Sequence, residues 1–418
     1  MAKIDLKYGR SLIPFEYDEE GFEVLAGTSS EQPLSDIEIG QKLDAPIGSE
    51  RIEEIVNSGA SVLLVVPDAT RETACGQVVN LLVRRLIANG TAVSDISIIF
   101  ATGIHRRVTE TEKQHLLTPF IAQRIKTIDH DAGNPLKIFR VGVTSGGIPV
   151  ELNWTLTEFD HVVLIGGVSF HYFAGFTGGR KLVCPGLASS RTISETHKLA
   201  FDCESRSRRA GVGTGLLDGN TVHEAFMEGT ALVNPSFAIN TIVSEAGEAV
   251  DLFCGDWKAS HRAACEAYAA KHTIRIREKR PFVIASCGGY PHDINMIQAH
   301  KTLEAASHAC SEGGTIILLA ECEDGLGRSD FLEWFDVAES DALAAKLCER
   351  YQVNGQTAWS LLRMAERFEI RIVSSLEESS IRRMRLKTFN VASGERNRFE
   401  NDSPGYFITS GAKSAFRS

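Results

Sequence analysis

The sequence predicts an α/β protein of two domains, with mainly parallel sheets flanked by helices. Short β-branched runs recur along the chain, bounded by glycine or proline and followed by amphipathic segments. That is the pattern of strand–loop–helix units in a parallel sheet. The length of 418 residues exceeds what one hydrophobic core usually serves. A hydrophobic content of 43% beside 23% charged residues is ordinary for a globular chain.

The elements follow in order. SVLLVV (Ser61–Val66) runs into PDATRE, which carries Asp68 and Arg71. ISIIFATG (Ile96–Gly103) runs into His105 and Arg106, and HVVLIGG (His161–Gly167) runs toward His171. Ligands of parallel sheets bind at the carboxyl edge of the strands. Three strand ends would therefore deliver Asp68, Arg71, His105 and His171 to one edge. Taken singly, each is an ordinary loop residue; gathered at one edge, they are the makings of an active site.

The densest stretch comes next, FHYFAGFTGGRKLVCPGLASSRTISETHKL (Phe170–Leu199). Gly175, Gly178 and Gly179 can take backbone angles that turn successive N–H groups toward an anion. Arg180 and Lys181 add positive charge at the same turn. Beyond it, Ile193, His197, Ala200 and Phe201 fall on one helix face, the buried one, so His197 points inward. An enclosed imidazole needs a partner or a metal. The usual roles for such residues are a surface lysine and hydrogen-bonded core histidines; their density favours a cofactor or anion site.

A fourth unit is FVIASCGGYPHDINMIQAHKTLEAA (Phe282–Ala306). Its strand ends at Cys287, Gly288 and Gly289 turn, Asp293 is the expected helix N-cap, and Gln298 and Lys301 share a helix face with Ile294. An amide beside a lysine suits a carboxylate or phosphate. Further strands are expected near Thr315–Ala320 and Ile370–Ser374. The charged stretch KHTIRIREKRP (Lys271–Pro281) marks the boundary. A first domain is expected over 1–274 and a second over 275–404, with the tail, 405–418, against the first. The active site would then lie in the cleft between the domains. Trp359, in NGQTAWSLL, reads as helix packing.

Composition excludes several classes. A net charge of −10 disfavours nucleic acid as a partner. No apolar run approaches a membrane span, and MAKIDLKYGR lacks the apolar core of a signal peptide. Nine cysteines without a CxxC indicate neither a disulfide framework nor a zinc–thiolate site. A cytoplasmic location is the expectation.

Together the motifs resemble one family, the nickel-dependent lactate racemases. The resemblance rests on Asp68-Ala-Thr-Arg71, on Ala101 through Arg106, on His171 through Ala188 followed by Thr192 through His197, and on Gly288 through Lys301. Weaker echoes lie in DGNTVHEA (Asp218–Ala225) and GDWKASHRAAC (Gly255–Cys265). The resemblance covers most of the chain. It implies a nickel pincer nucleotide, a pyridinium bis-thiocarboxylic acid mononucleotide holding nickel, covalently attached to Lys181 with His197 as the protein ligand of nickel. Asp68, Gly178, Gly179 and Arg180 would contact that cofactor, with Asp68 also orienting Arg71. His105 and His171 would be the paired acid/base residues, and Arg71, Gln298 and Lys301 would hold the carboxylate of a small 2-hydroxy acid. Cofactor-synthesis enzymes in the same cell are implied partners, and the oligomeric state is left open.

The chemistry suits those roles. The Cα–H of a 2-hydroxy acid is barely acidic beside an ionised carboxylate, so moving it as hydride avoids a carbanion. Two enantiomers present hydroxyls to opposite sides, which calls for two bases, and histidine suits the task. The chain departs from the family pattern at Glu72, Thr196, Thr221 and Ile297, where proline, asparagine, proline and an aromatic residue are usual. A carboxylate at Glu72 and a smaller Ile297 favour neutral, longer 2-hydroxy acids, sugar acids among them, over dicarboxylates. The alternatives are a nicotinamide-dependent 2-hydroxyacid dehydrogenase, a non-catalytic binding protein on the same fold, and a zinc hydrolase. GVGTGLLDG (Gly211–Gly219) has the wrong spacing for a dinucleotide loop, the histidines lack HExxH spacing, and the full residue set argues for catalysis.

Overall fold

The computed structural model describes residues 1–26, 32–71, 73–244, 246–391, 398–399 along the backbone, and 404–417. The chain divides into two compact units, Ser30–Ala200 with Ala210–Ala270, and Met1–Ser29 with Phe201–Arg209 and Lys271–Ser418.

The first unit is built on a six-stranded sheet in the order Ala249–Gly255, Phe237–Val243, His161–Gly167, Val62–Pro67, Ile96–Ala101 and Lys126–Asp129. All neighbours are parallel except Ala249–Gly255, which runs antiparallel to Phe237–Val243. Val62–Pro67 is buried along its whole length, as a strand covered on both faces must be. Its core partners include Val78, Leu82 and Leu86 of the helix Cys75–Ala88, and Leu117 and Ile121 of the helix Glu110–Arg124. From Val62–Pro67 the chain moves first to the Ile96–Ala101 side and only later to the His161–Gly167 side. The strand order thus reverses there, and the carboxyl ends of Val62–Pro67 and His161–Gly167 flank a topological switch point.

The second unit carries another six-stranded sheet, wholly parallel, in the order Lys387–Thr388, Glu369–Val373, Cys310–Leu319, Arg280–Ser286, Gly405–Ile408 and Phe22–Leu25. The expected strands are present, and Trp359 packs edge-on against Phe201 at 4.9 Å, within the core of this unit.

The expected domain division is corrected in three places. Gly405–Ile408 inserts between Arg280–Ser286 and Phe22–Leu25, so the tail and the N-terminal strands complete the second unit's sheet. Phe201–Arg209 also belongs to the second unit. There Phe201–Asp202 and Ser207–Arg208 form a hairpin, and Arg208 reaches the buried Glu304 at 2.5 Å. A sequence cut at one point cannot express such strand sharing, because the pairing is set by sheet register. Asp293 is also not a helix cap. Asn295 caps the helix Met296–Ala309 through Gln298 N, while Asp293 accepts from Gly9 N at 2.6 Å. Ile294 consequently lies before that helix. Cys203 and Cys348, both in this unit, are disulfide-bonded, a pairing that cysteine spacing did not indicate; the other seven cysteines are free and buried.

Among the described residues no helix is long and apolar enough to cross a membrane.

Candidate active site

The switch point gathers the first cluster. Asp68 follows the strand Val62–Pro67 directly and is buried. Its Oδ1 accepts from Thr70 N at 3.0 Å and Thr70 Oγ1 at 2.6 Å. Its Oδ2 lies 2.7 Å from Nδ1 of His105. Burial alone would raise the Asp68 carboxyl, but His105, Arg71 and Thr70 outweigh it and hold the group well below the usual carboxylate range. An ionised Asp68 accepts a hydrogen bond from His105 Nδ1–H, which assigns the other ring nitrogen, Nε2, as the basic one. Arg71 completes the turn, its backbone N–H bonded to Asp68 O at 3.2 Å. Burial lowers its guanidinium and Asp68 opposes that shift. Glu72 lies outside the described residues.

The second cluster surrounds Lys181. The short strands Phe170–His171 and Gly175–Phe176 pair antiparallel, and the tight turn between them puts the N–H groups of Phe173 and Ala174 at 3.5 and 3.3 Å from His171 Nδ1. The His171 ring meets Phe173 edge-on at 4.4 Å. Phe173 in turn lies 5.0 Å from His197 and 5.5 Å from the Lys181 ammonium. Phe226, from the helix Thr221–Ala231, also neighbours both groups, 5.5 Å from His197 and 5.7 Å from Lys181 Nζ. Lys181 and His197 therefore share an aromatic chamber.

His197 sits on the helix Ser190–Lys198, capped by Ser189. Ile193, His197, Ala200 and Phe201 are all buried as the periodicity predicts, although the helix ends at Lys198 and Phe201 joins the other unit. The His197 Nδ1 donates to Ile193 O at 2.7 Å, so Nε2 carries the lone pair. Burial, aided by the neighbouring Lys181 charge, brings the imidazole down to about 3, and it is neutral at physiological pH. Thr196 bonds back to Thr192 O at 2.6 Å and also shares Ile193 O, at 3.1 Å.

The glycine turn before Lys181 is shaped by close packing. Gly178 has φ +74, and a Cβ there would stand 3.0 Å from Gly167 O; a Cβ on Gly179, φ +48, would stand 2.6 Å from the His261 ring. Any other residue would meet both steric and backbone strain. Arg180, expected beside a bound anion, is turned into the protein and fully buried. Its guanidinium donates to Ala174 O at 2.8 Å and lies 2.9 Å from His261 Nε2, which makes it a brace of the turn.

The two clusters adjoin. Gly103 N, two residues before His105, bonds to Gly186 O at 2.9 Å, and Gly186 N bonds to Lys181 O at 2.9 Å. Asp68, Arg71, His105, His171, Lys181 and His197 thus all belong to one unit. Gln298 and Lys301 lie in the other unit, where Lys301 Nζ donates to Gln298 Oε1 at 2.5 Å. Ile297 packs against that unit's core. Sequence reasoning missed Phe173, Phe226, His261 and Asn220. The asparagine before TVHEAF carried an N-cap signal, whereas nothing in sequence spacing pairs Phe173 with Phe226.

A parallel sheet whose switch point holds a carboxylate-oriented histidine, a second, buried histidine and a half-buried lysine has the layout of an α/β enzyme. Comparison with known proteins makes the class specific. Residues 8–209 match the lactate racemase N-terminal domain and residues 277–395 the lactate racemase C-terminal domain. A lactate racemase of Lactiplantibacillus plantarum is 30% identical over 335 residues, 79% of this chain and 77% of that protein. One from Thermoanaerobacterium thermosaccharolyticum is 29% identical over 339 residues, 80% of this chain and 78% of that protein. The apoprotein structure from the latter organism superposes with a TM-score of 0.88 at 26% identity, covering 100% of both chains. A Thermotoga maritima protein shares the fold, with a TM-score of 0.73 at 20% identity, over 93% of this chain and 99% of that one. The chain belongs to the lactate racemase family, and with it to the isomerases.

Proposed function

We propose that the protein inverts the 2-hydroxy carbon of a small 2-hydroxy acid, with a nickel pincer nucleotide attached to Lys181 and His197 as the protein ligand of nickel. The observation that carries this reading is the shared chamber, in which Lys181 Nζ and the His197 ring both lie against Phe173 and Phe226. The donor chemistry fits. A metal ligand must be a neutral imidazole, which burial makes of His197, and imidazole is an acceptable donor to nickel. Among the described residues no group of three or more His, Cys, Asp or Glu could hold a metal ion, so the other donors at His197 would come from the cofactor. When bound, that group would supply a reversible hydride acceptor.

The chain's own residues would do the rest. His105, oriented through Nδ1 by Asp68, has Nε2 as the atom to take or return a hydroxyl proton. His171, fixed by the N–H groups of Phe173 and Ala174, would serve the opposite enantiomer. Arg71 offers a cation for the substrate carboxylate, and Gln298 and Lys301 offer the same chemistry in the other unit. The aromatic walls would exclude water from the centre.

Intact-mass and metal analysis of protein produced together with cofactor-synthesis enzymes tests the assignment. The wild type should carry nickel and a nucleotide adduct, Lys181→Ala should lose the adduct, and chiral chromatography should show racemisation lost with it. An adduct of equal mass on Lys181→Ala would overturn the attachment site.

A further inference from the structure

The two walls of the chamber come from different elements, Phe173 from a hairpin turn and Phe226 from the helix Thr221–Ala231. One side chain joins them. Asn220 is fully buried, and its Nδ2 donates to Phe173 O and to Leu216 O, both at 2.9 Å. Its Oδ1 accepts from Val222 N at 3.1 Å and His223 N at 3.2 Å. All the hydrogen-bonding capacity of the amide is used, whereas an asparagine that only capped the helix would need its oxygen alone.

The next residue reaches the other way. Thr221 occupies the first helical position, where proline fits well because no N–H is needed. Its hydroxyl instead donates to Leu199 O at 3.2 Å, at the C-cap of the helix that bears His197. The loop before Asn220 lies on the same hairpin, with Gly215 N bonded to Gly175 O at 3.0 Å. A Cβ on Gly175, φ +76, would stand 2.1 Å from Leu216 O, so the approach demands glycine there.

We infer that Asn220 and Thr221 are positioning residues that set the spacing of Phe173, Phe226 and the His197 helix around Lys181. The inference rests on the function proposed above for the meaning of that spacing, and on the hydrogen bonds of Asn220 and Thr221 for its existence. Asn220 holds the turn whose N–H groups also fix His171, and Thr221 holds the end of the His197 helix. Loss of either would loosen the chamber without removing a reacting group.

The test separates capping from positioning. Asn220→Ser keeps a capping oxygen but has no amide to reach Phe173 O, and Thr221→Val removes only the hydroxyl. In protein purified without cofactor, amide hydrogen exchange over residues 171–175 should quicken about 10-fold in Asn220→Ser, the scale of one lost hydrogen bond. In loaded protein, nickel loss to a chelator should quicken about 10- to 100-fold, as for other residues that orient a metal ligand. The kcat should fall with KM little changed, and the melting temperature should drop by a few degrees in Asn220→Ser, where Phe173 O and Leu216 O lose their donor, and by less in Thr221→Val. Unchanged exchange and unchanged nickel retention in Asn220→Ser would overturn the inference. Wild-type protein without nickel or adduct would instead defeat the proposed function, and the exchange comparison would still decide the role of Asn220. If Asn220→Ser does not fold, Thr221→Val carries the same nickel-retention test.

Discussion

The two six-stranded sheets share an architecture and differ at their carboxyl edges. In the second unit several edge groups are taken up by the protein itself. Asp293 accepts from Gly9 N and Glu321 N, Tyr290 N bonds to Gly9 O, and Ser374 and Ser375 donate to Glu321 O. In the first unit the edge residues are oriented rather than consumed. Asp68 takes one nitrogen of His105 and Ile193 O takes one nitrogen of His197, so each ring keeps a defined second nitrogen. A parallel sheet supplies a site at its edge, but chemistry depends on whether the protein satisfies both ends of each polar group or only one.

The largest effect that could break this comparison is expected at His105. If Nε2 is the proton acceptor, His105→Ala should slow racemisation by about 10²–10⁴-fold, the usual contribution of a positioned general base. Activity of loaded protein, followed by chiral chromatography, would refute the assignment if it fell less than that.

The second unit should answer to pH and stability. Burial would raise the Glu304 carboxyl, yet Arg208 outweighs it and brings the group down to about 2. An unfolded glutamate titrates near ~4.3. The depressed folded value stabilises the native state above ~4.3, and this stability is lost as pH falls from there through about 2, amounting to about 3 kcal/mol. Denaturant titrations of wild type and Glu304→Gln should differ by that order at pH 7 and converge near pH 2. A constant difference would separate the pair from the pH dependence.

The finest comparison sets Asp68→Asn against Asp293→Asn. An amide at Asp68 no longer fixes the His105 tautomer, and activity should fall by about 10-fold, the lower range for such orienting partners; stability at neutral pH should fall as well, because the folded Asp68 carboxyl is held below the usual range by His105, Arg71 and Thr70. At Asp293 the same change weakens hydrogen bonds to a charged acceptor and should cost about 1–2 kcal/mol of stability, with a smaller effect on rate. Equal losses of rate at the two positions would erase the distinction between the edges.

Much of this was legible in the chain. The runs Val62–Pro67, Ile96–Ala101 and His161–Gly167 are strands because continuous β-branched sequence between turn residues suits a sheet buried on both faces. Their endings place Asp68, Arg71, His105 and His171 at one edge for the same reason. The spacing of Ile193 and His197 predicted an inward imidazole, and helix periodicity made it so.

What the sequence could not express is pairing over distance. Asp293 looked like a cap because a short acceptor precedes a helix, yet Gly9, 284 positions away, claims its carboxylate. Arg180 looked like a charge for an anion until the folded turn offered it Ala174 O and His261. Local pattern is governed by side-chain volume and backbone preference within a few residues, and the sequence determined those alone. The partner of each buried polar group was decided by tertiary structure, because desolvation makes the nearest complementary group in space, wherever it lies along the chain, the one that must be satisfied.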